Sequence, residues 1–365
     1  MIRLSDVIRH LENKAPRGLQ ESYDNSGLIT GLPEMEVKGI IICLDSLECV
    51  VEEAVNRGCN VIIAHHPIVF SGLKRITGAS YVERTIIRAI KNDIAIYAIH
   101  TNLDNIRDGV NAAIADRLGL KGTTVLRPMT NRLQKLVTYS PVAHSDTIRN
   151  ALFEAGAGEI GNYSECSFST KGTGSFMPNA KAQPFIGEKG KRHYETEDRI
   201  EVVLPEWKQQ TVLNALRASH PYEEVAFEIF TIENQYNRIG AGLIGELETA
   251  VEPTKFLTII KERMNTRMIR HTAPGMKLIR KVAVCGGAGS FLLKEAISSG
   301  ADAFISADFK YHEFFDAEGK IIIADIGHFE SEQFTMKLLQ EFLREKFTTF
   351  AIRLTEMNTN PVYYF

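Results

Sequence analysis

Two adjacent histidines, His65 and His66, follow the apolar run Val61-Ile62-Ile63-Ala64 and are stopped by Pro67. Proline has no N–H for a ladder and biases the residue before it away from helix, so the histidines stand at the end of a strand. Neighbours on an extended strand point to opposite sides. Both imidazoles therefore serve one site only if the chain turns there or if two metals lie side by side. The adjacency suggests a dinuclear centre; the plainer reading is a turn carrying two surface histidines.

Two later stretches end in the same way. His100-Thr101-Asn102-Leu103-Asp104 follows the apolar residues 94–99, and Asp325-Ile326-Gly327-His328-Phe329-Glu330-Ser331-Glu332 follows residues 321–324. Open α/β sheets bind ligands in the crevice beyond the carboxyl ends of their strands, so three strands deliver His and carboxylate groups to one side. His328 and Glu332 are four residues apart at the start of a helix, which sets them on one face. His65, His66, Asp104, His328 and Glu332 form a mixed N/O ligand set suited to zinc, iron or manganese. Five protein ligands exceed what one catalytic zinc takes, whereas two ions sharing a bridging carboxylate or water use them all. Asp45, His100, Asp308 and His312 have the same strand-end placement. They are expected to hydrogen-bond the ligands or the core, with His100 a substitute ligand and Asp45, His100 and His312 the candidates for moving protons.

Near-continuous apolar strands over 39–45, 61–64, 94–99, 281–285, 303–306 and 320–325 must position these residues. Helical patterns over 81–92 and 291–299, and one long helix over 329–346, accompany them. Strands of this kind alternating with helices predict βαβ units and mostly parallel sheets buried on both faces. A helix over 5–13 is expected to be capped by Ser5. Between 131 and 234 the texture changes to strand, helix, strand, strand, helix, strand. Ile148-Arg149-Asn150-Ala151-Leu152 in its first half echoes Val212-Leu213-Asn214-Ala215-Leu216 in its second. That βαββαβ order predicts a ferredoxin-like α+β insert. The expected domains are thus a metal-binding α/β first half (1–130), the insert (131–234) and a second α/β half (235–365).

A net charge of −3 offers no general attraction for nucleic acid, and five scattered cysteines fit a reducing compartment. Residues 1–8 lack the apolar core of a signal peptide, and no stretch approaches eighteen uninterrupted apolar residues. A cytoplasmic protein without a membrane span is expected. Gly240-Ala241-Gly242-Leu243-Ile244-Gly245 matches G-x-G-x-x-G, but no clean strand precedes it and no helix follows, as a dinucleotide site requires. Gly286-Gly287-Ala288-Gly289-Ser290, between a strand and a helix, reads either as a phosphate cradle or as a tight turn. No Walker, G-x-S-x-G or Cys-x-x-Cys sequence is present.

With Tyr23-Asp24-Asn25-Ser26-Gly27-Leu28 near the start, the His65-His66-Pro67, His100-to-Asp104 and Gly327-to-Glu332 stretches resemble the signatures of the Nif-three-like family, also labelled GTP cyclohydrolase 1 type 2 homologues. His220-Pro221-Tyr222-Glu223-Glu224 and Gly172-Thr173-Gly174-Ser175-Phe176 resemble its long form, whose insert is similar to signal-transduction PII and copper-tolerance proteins. The resemblance implies two divalent metals at positions matching His65, His66, Asp104, His328 and Glu332, and a toroidal homohexamer with its sites facing an inner cavity. The leading expectation is a metal-dependent hydrolase acting on a nucleotide, with ring opening of GTP the specific form. A metal phosphoesterase and a non-catalytic metal-binding assembly are the alternatives.

Overall fold

A computed structural model describes residues 1–365. The chain divides into two compact units, one made of Met1–Pro128 with Asn237–Phe365 and the other of Met129–Tyr236. No helix is long and apolar enough to cross a membrane. All five cysteines are free thiols.

The first unit holds two sheets. One has the spatial order Gly27–Thr30, Ala95–Ala98, Val61–His66, Gly39–Asp45, Ala351–Leu354, parallel except at its first pair. The other runs Arg270–His271, Ile322–Asp325, Ala303–Ala307, Ile279–Ala288, Tyr236–Val251, Lys121–Met129, with a parallel centre and antiparallel neighbours. Each sheet takes an edge strand from the other end of the chain: Ala351–Leu354 joins the first, Lys121–Met129 the second. The first and last thirds are therefore interleaved at their edges.

Continuous apolar strands arise because both faces of the sheets are covered. Ile40, Ile42, Val61 and Ile63 share one core with Val282, Val284, Ala303 and Ile305 of the second sheet, and with Leu4, Leu11, Ile114, Phe256 and Leu339 from helices. The alternate residues Ile41, Cys43, Ile62 and Ala64 turn the other way, onto Val50, Ala54, Ile86 and Ala89. On the far face of the second sheet Ala283, Phe304 and Ile323 meet Leu292, Ala296 and Phe309. Period-two alternation thus divides each strand between two cores.

Two helix boundaries differ from those the sequence suggests. The first helix is Leu4–Lys14 with Arg3 at its N-cap. Ser5 lies inside it and donates its backbone N–H to Pro33; the Asp6 carboxylate takes the Arg3 N–H at 3.1 Å instead. The expected helix over 329–346 is two, His328–Glu332 and Thr335–Arg344. Side chains intrude at the break: Ser331 Oγ donates to the His328 carbonyl at 2.7 Å, and Gln333 Nε2 to the carbonyls of Glu330 and Met264.

The second unit contains one antiparallel sheet in the order Ser167–Phe176, His193–Pro205, Leu133–Pro141, Phe227–Ile232. Helices Ser145–Glu154 and Gln209–Ser219 bury Ile148, Leu152, Val212 and Leu216 against Leu136, Ile200 and Val202. The edge strand Ser167–Phe176 stays paired through Gly172 and Gly174 as far as Phe176.

Candidate metal centre

The carboxyl ends of the parallel strands in both sheets meet at one cavity of about 830 Å³, lined by Asp45, His66, His100, Asp104, His328 and Glu332 among others. Asp45 and His66 are register partners on neighbouring strands, and His328 opens its helix just beyond strand Ile322–Asp325. His65 is fully buried behind them. Candidate ligand atoms fall into two groups, His65 with His66 and His100, and His66 with His328 and Glu332, each within 4.8 Å. Either group could hold a metal ion.

Four histidines share one arrangement. His65 Nδ1 lies 2.9 Å from the Ile99 carbonyl, His66 Nδ1 2.9 Å from Asp45 Oδ1, His100 Nδ1 2.8 Å from Asp24 Oδ1, and His328 Nδ1 2.6 Å from Asp308 Oδ2. A carbonyl only accepts, so His65 Nδ1 carries the hydrogen and Nε2 is the ring atom turned toward Asp104 and Glu332. Anchoring one ring nitrogen to an oxygen is how proteins orient metal-binding histidines. His66 Nε2 lies 2.9 Å, and His328 Nε2 3.2 Å, from Glu332 Oε2, and the two Nε2 atoms are 3.4 Å apart.

The strongest sign of a cation is an unsatisfied pair. His65 Nε2 and Asp104 Oδ1 are both buried without a hydrogen-bond partner. They stand 3.6 Å apart, and Glu332 Oε1 is 3.7 Å from the same nitrogen. Two carboxylate oxygens around a lone pair, sealed from water, cost several kcal/mol in repulsion and desolvation, to order of magnitude, unless a cation fills the gap. The residues fit a metal.

The electrostatics agree. Burial, then the Glu332 charge, push the Asp104 carboxyl up to about 7. Burial would lower His66, but Asp45 and Glu332 outweigh it and hold the imidazole up at about 10. His328 is likewise raised, to about 11, by Glu332 and Asp308 against burial. Glu332 is depressed well below the usual carboxylate range, burial being overcome by His328 and His65. In the metal-free protein the raised values of His66 and His328 favour a proton on each ring beside Glu332.

Among the candidates for moving protons, His312 is exposed and lies outside the cavity, packed against Tyr311 and Phe315. A strand-end position is not enough when the following helical turn faces outward. Asp45 has both oxygens engaged, by His66 and by Thr359 Oγ1 at 2.8 Å. His100 remains beside the cavity. Asp24, which holds it, also accepts from Ser26 Oγ and from the Thr101 backbone and hydroxyl. His100, with these hydroxyl donors, depresses the Asp24 carboxyl despite burial. Asp24 and Thr359 were not singled out by sequence reasoning. Asp24 had a signal in the polar turn 23–28, whereas Thr359 sits in an irregular stretch with none.

The glycine turn proves to be a close-packing device. Gly286 and Gly287 donate their N–H groups to Asn111 Oδ1 and Ser331 Oγ, both at 2.9 Å, so neither is free for phosphate. Gly287 has φ +59°, and a Cβ there would come 2.5 Å from Glu332 Oε1. Gly240 to Gly245 lie inside strand Tyr236–Val251.

Residues 2–361 match the model of the Duf34/NIF3 (NGG1p interacting factor 3) family. The chain is 37% identical over 361 residues to a protein of Halalkalibacterium halodurans named GTP cyclohydrolase 1 type 2 homolog, covering 97% of each chain. A Bacillus subtilis protein of the same name is 36% identical over 365 residues, covering 97% of this chain and 96% of its own. The crystal structure of a Bacillus cereus protein related to NIF3 superposes with a TM-score of 0.88 at 36% identity, over 100% of this chain and 99% of that one. On a family match running nearly end to end, the chain belongs to the Duf34/NIF3 family.

Proposed function

We propose that this protein binds two divalent cations, zinc, iron or manganese, and acts as a metal-dependent hydrolase on a nucleotide, in keeping with the name its relatives carry. The carrying observation is the sealed gap between His65 Nε2, Asp104 Oδ1 and Glu332 Oε1. Glu332 divides its two oxygens, Oε1 toward His65 and Asp104, Oε2 toward His66 and His328. His65 with Asp104 would hold one ion, His66 with His328 the other, and Glu332 would serve both. When bound, such ions acidify water and polarise a substrate oxygen or ring nitrogen.

The chain's own groups supply position and proton transfer. Asp45 and Asp308 fix the rings of His66 and His328 through Nδ1. Asp24 fixes His100 in the same way, leaving His100 Nε2 to accept a proton from, or return one to, a ligand in the cavity. Turnover of GTP by metal-loaded protein, compared with Asp104→Ala, tests the reading. It fails if the loaded protein consumes no GTP and the variant is indistinguishable from it.

The remaining assignments belong to the same proposal. The chain is taken as two α/β halves, 1–130 and 235–365, around a ferredoxin-like, PII-like insert, 131–234. The strand order within the second unit and the helices on one face of its sheet support that description of the insert. A cytoplasmic homohexamer with no nucleic-acid or membrane partner completes it. A solution mass near that of one chain would remove the hexamer.

A further inference from the structure

Seven carboxylates line the cavity, Glu21, Asp45, Asp104, Asp308, Asp325, Glu330 and Glu332, against only two arginines. Arg270 is already engaged: it donates to Asp325 Oδ2 and, at 2.9 Å, to the Phe309 carbonyl, and its guanidinium faces the Phe314 ring. Arg127 is different. Its guanidinium lies 4.6 Å from the centroid of Phe291, which also lines the cavity, and it meets Glu295 only at 3.6 Å. None of its side-chain N–H groups makes a hydrogen bond in the structure, and the side chain is 44% exposed. Arg127 and Phe291 share the cavity lining with Asp104, His328 and Glu332.

A guanidinium set over an aromatic ring keeps its N–H donors available, and such a fork can receive two oxygens of a phosphate in parallel. Arg127 belongs to neither group of candidate ligand atoms. Metal binding does not consume its donors. We propose that Arg127, braced by Phe291, is the anion subsite of this cavity and takes a phosphate group of the ligand whose reacting part lies at the metal centre. The inference deepens the nucleotide reading and rests on it for the identity of the rest of the ligand. Phosphorylation of the ligand thereby becomes a specificity determinant.

The test measures binding of GTP, guanosine and inorganic pyrophosphate to the metal-loaded full-length protein, to Arg127→Gln and to Arg127→Lys, by isothermal titration with metal content measured alongside. Loss of one charge-assisted fork predicts GTP and pyrophosphate weakened about tenfold to a hundredfold in Arg127→Gln, with partial recovery in Arg127→Lys. Guanosine affinity and metal content stay unchanged. Equal pyrophosphate binding by Arg127→Gln and the unaltered protein overturns the subsite. So does a loss that falls equally on guanosine, or the absence of any pyrophosphate and GTP binding. Arg127-dependent pyrophosphate binding, with GTP bound no better than pyrophosphate and guanosine not at all, upholds the subsite and removes the nucleotide reading.

Discussion

Replacing Asp104 by asparagine should stabilise the metal-free protein while weakening its hold on metal. Asp104 Oδ1 is buried, lacks a partner and lies 3.6 Å from His65 Nε2, and the carboxyl is raised from 3.8 to about 7 by burial and by Glu332. The sign follows from linkage. With its folded value above its unfolded one, the group's favourable contribution is fully present below pH 3.8 and is lost as pH rises through about 7. The loss amounts to about 4 kcal/mol, at about 1.4 kcal/mol per pH unit. Asparagine keeps the shape and removes the charge, but its amide is imperfectly satisfied there, so the recovered stability is about 1–3 kcal/mol. For a unit of this size that is roughly 2–6 °C in Tm. The raised values of His66 and His328 act, to first order, equally in both proteins and cancel in the difference, and Glu332 titrates below the window. The assay is thermal denaturation of chelator-treated Asp104→Asn and unaltered protein at pH 5 and pH 8. The variant should melt higher at pH 8, with the gap shrinking toward pH 5, and lose about two orders of magnitude in metal affinity. A variant that melts lower at pH 8 and still gains the full stabilisation from metal would refute the reasoning.

Asp45→Asn should lower metal affinity about tenfold to a hundredfold by loosening His66, with little change in the fold, as competition against a chelating dye would report. Gly287→Ala forces a Cβ to 2.5 Å from Glu332 Oε1 at a backbone φ of +59°. It should cost at least about 1 kcal/mol in urea denaturation and reduce metal binding as well. In the metal-free protein the stability owed to His66 and His328 is complete below pH 6.5 and lost as pH rises through about 10 and 11. Denaturation midpoints should therefore fall between pH 8 and 11, and a flat profile there would count against protonated imidazoles filling the site.

Much of the centre was legible because chemistry-bearing residues sat immediately after strands whose apolar runs were unmistakable. His65 and His66 close the buried strand Val61–His66, Asp104 comes after Ala95–Ala98 and His328 and Glu332 after Ile322–Asp325, and the structure brings all five into one cluster. The same rule misplaced His312, whose helical turn after strand Ala303–Ala307 points outward. Asp24 was marked only by the polar turn 23–28 around it, and Thr359 by nothing local. Each acts through a partner 76 or more residues away, His100 for Asp24 and Asp45 for Thr359. The edge strands Ala351–Leu354 and Lys121–Met129 were missed for a related reason. Short or polar-faced segments acquire strand conformation from the sheet that receives them rather than from their own pattern.

The most direct test of the central claim is elemental analysis of freshly purified protein, with Glu332→Gln measured alongside. Two divalent ions per chain are expected, with both lost or sharply weakened in Glu332→Gln, since this carboxylate faces His65 with one oxygen and His66 and His328 with the other. Metal-free protein that takes up no divalent ion at micromolar concentration, or full occupancy retained by Glu332→Gln, would contradict it.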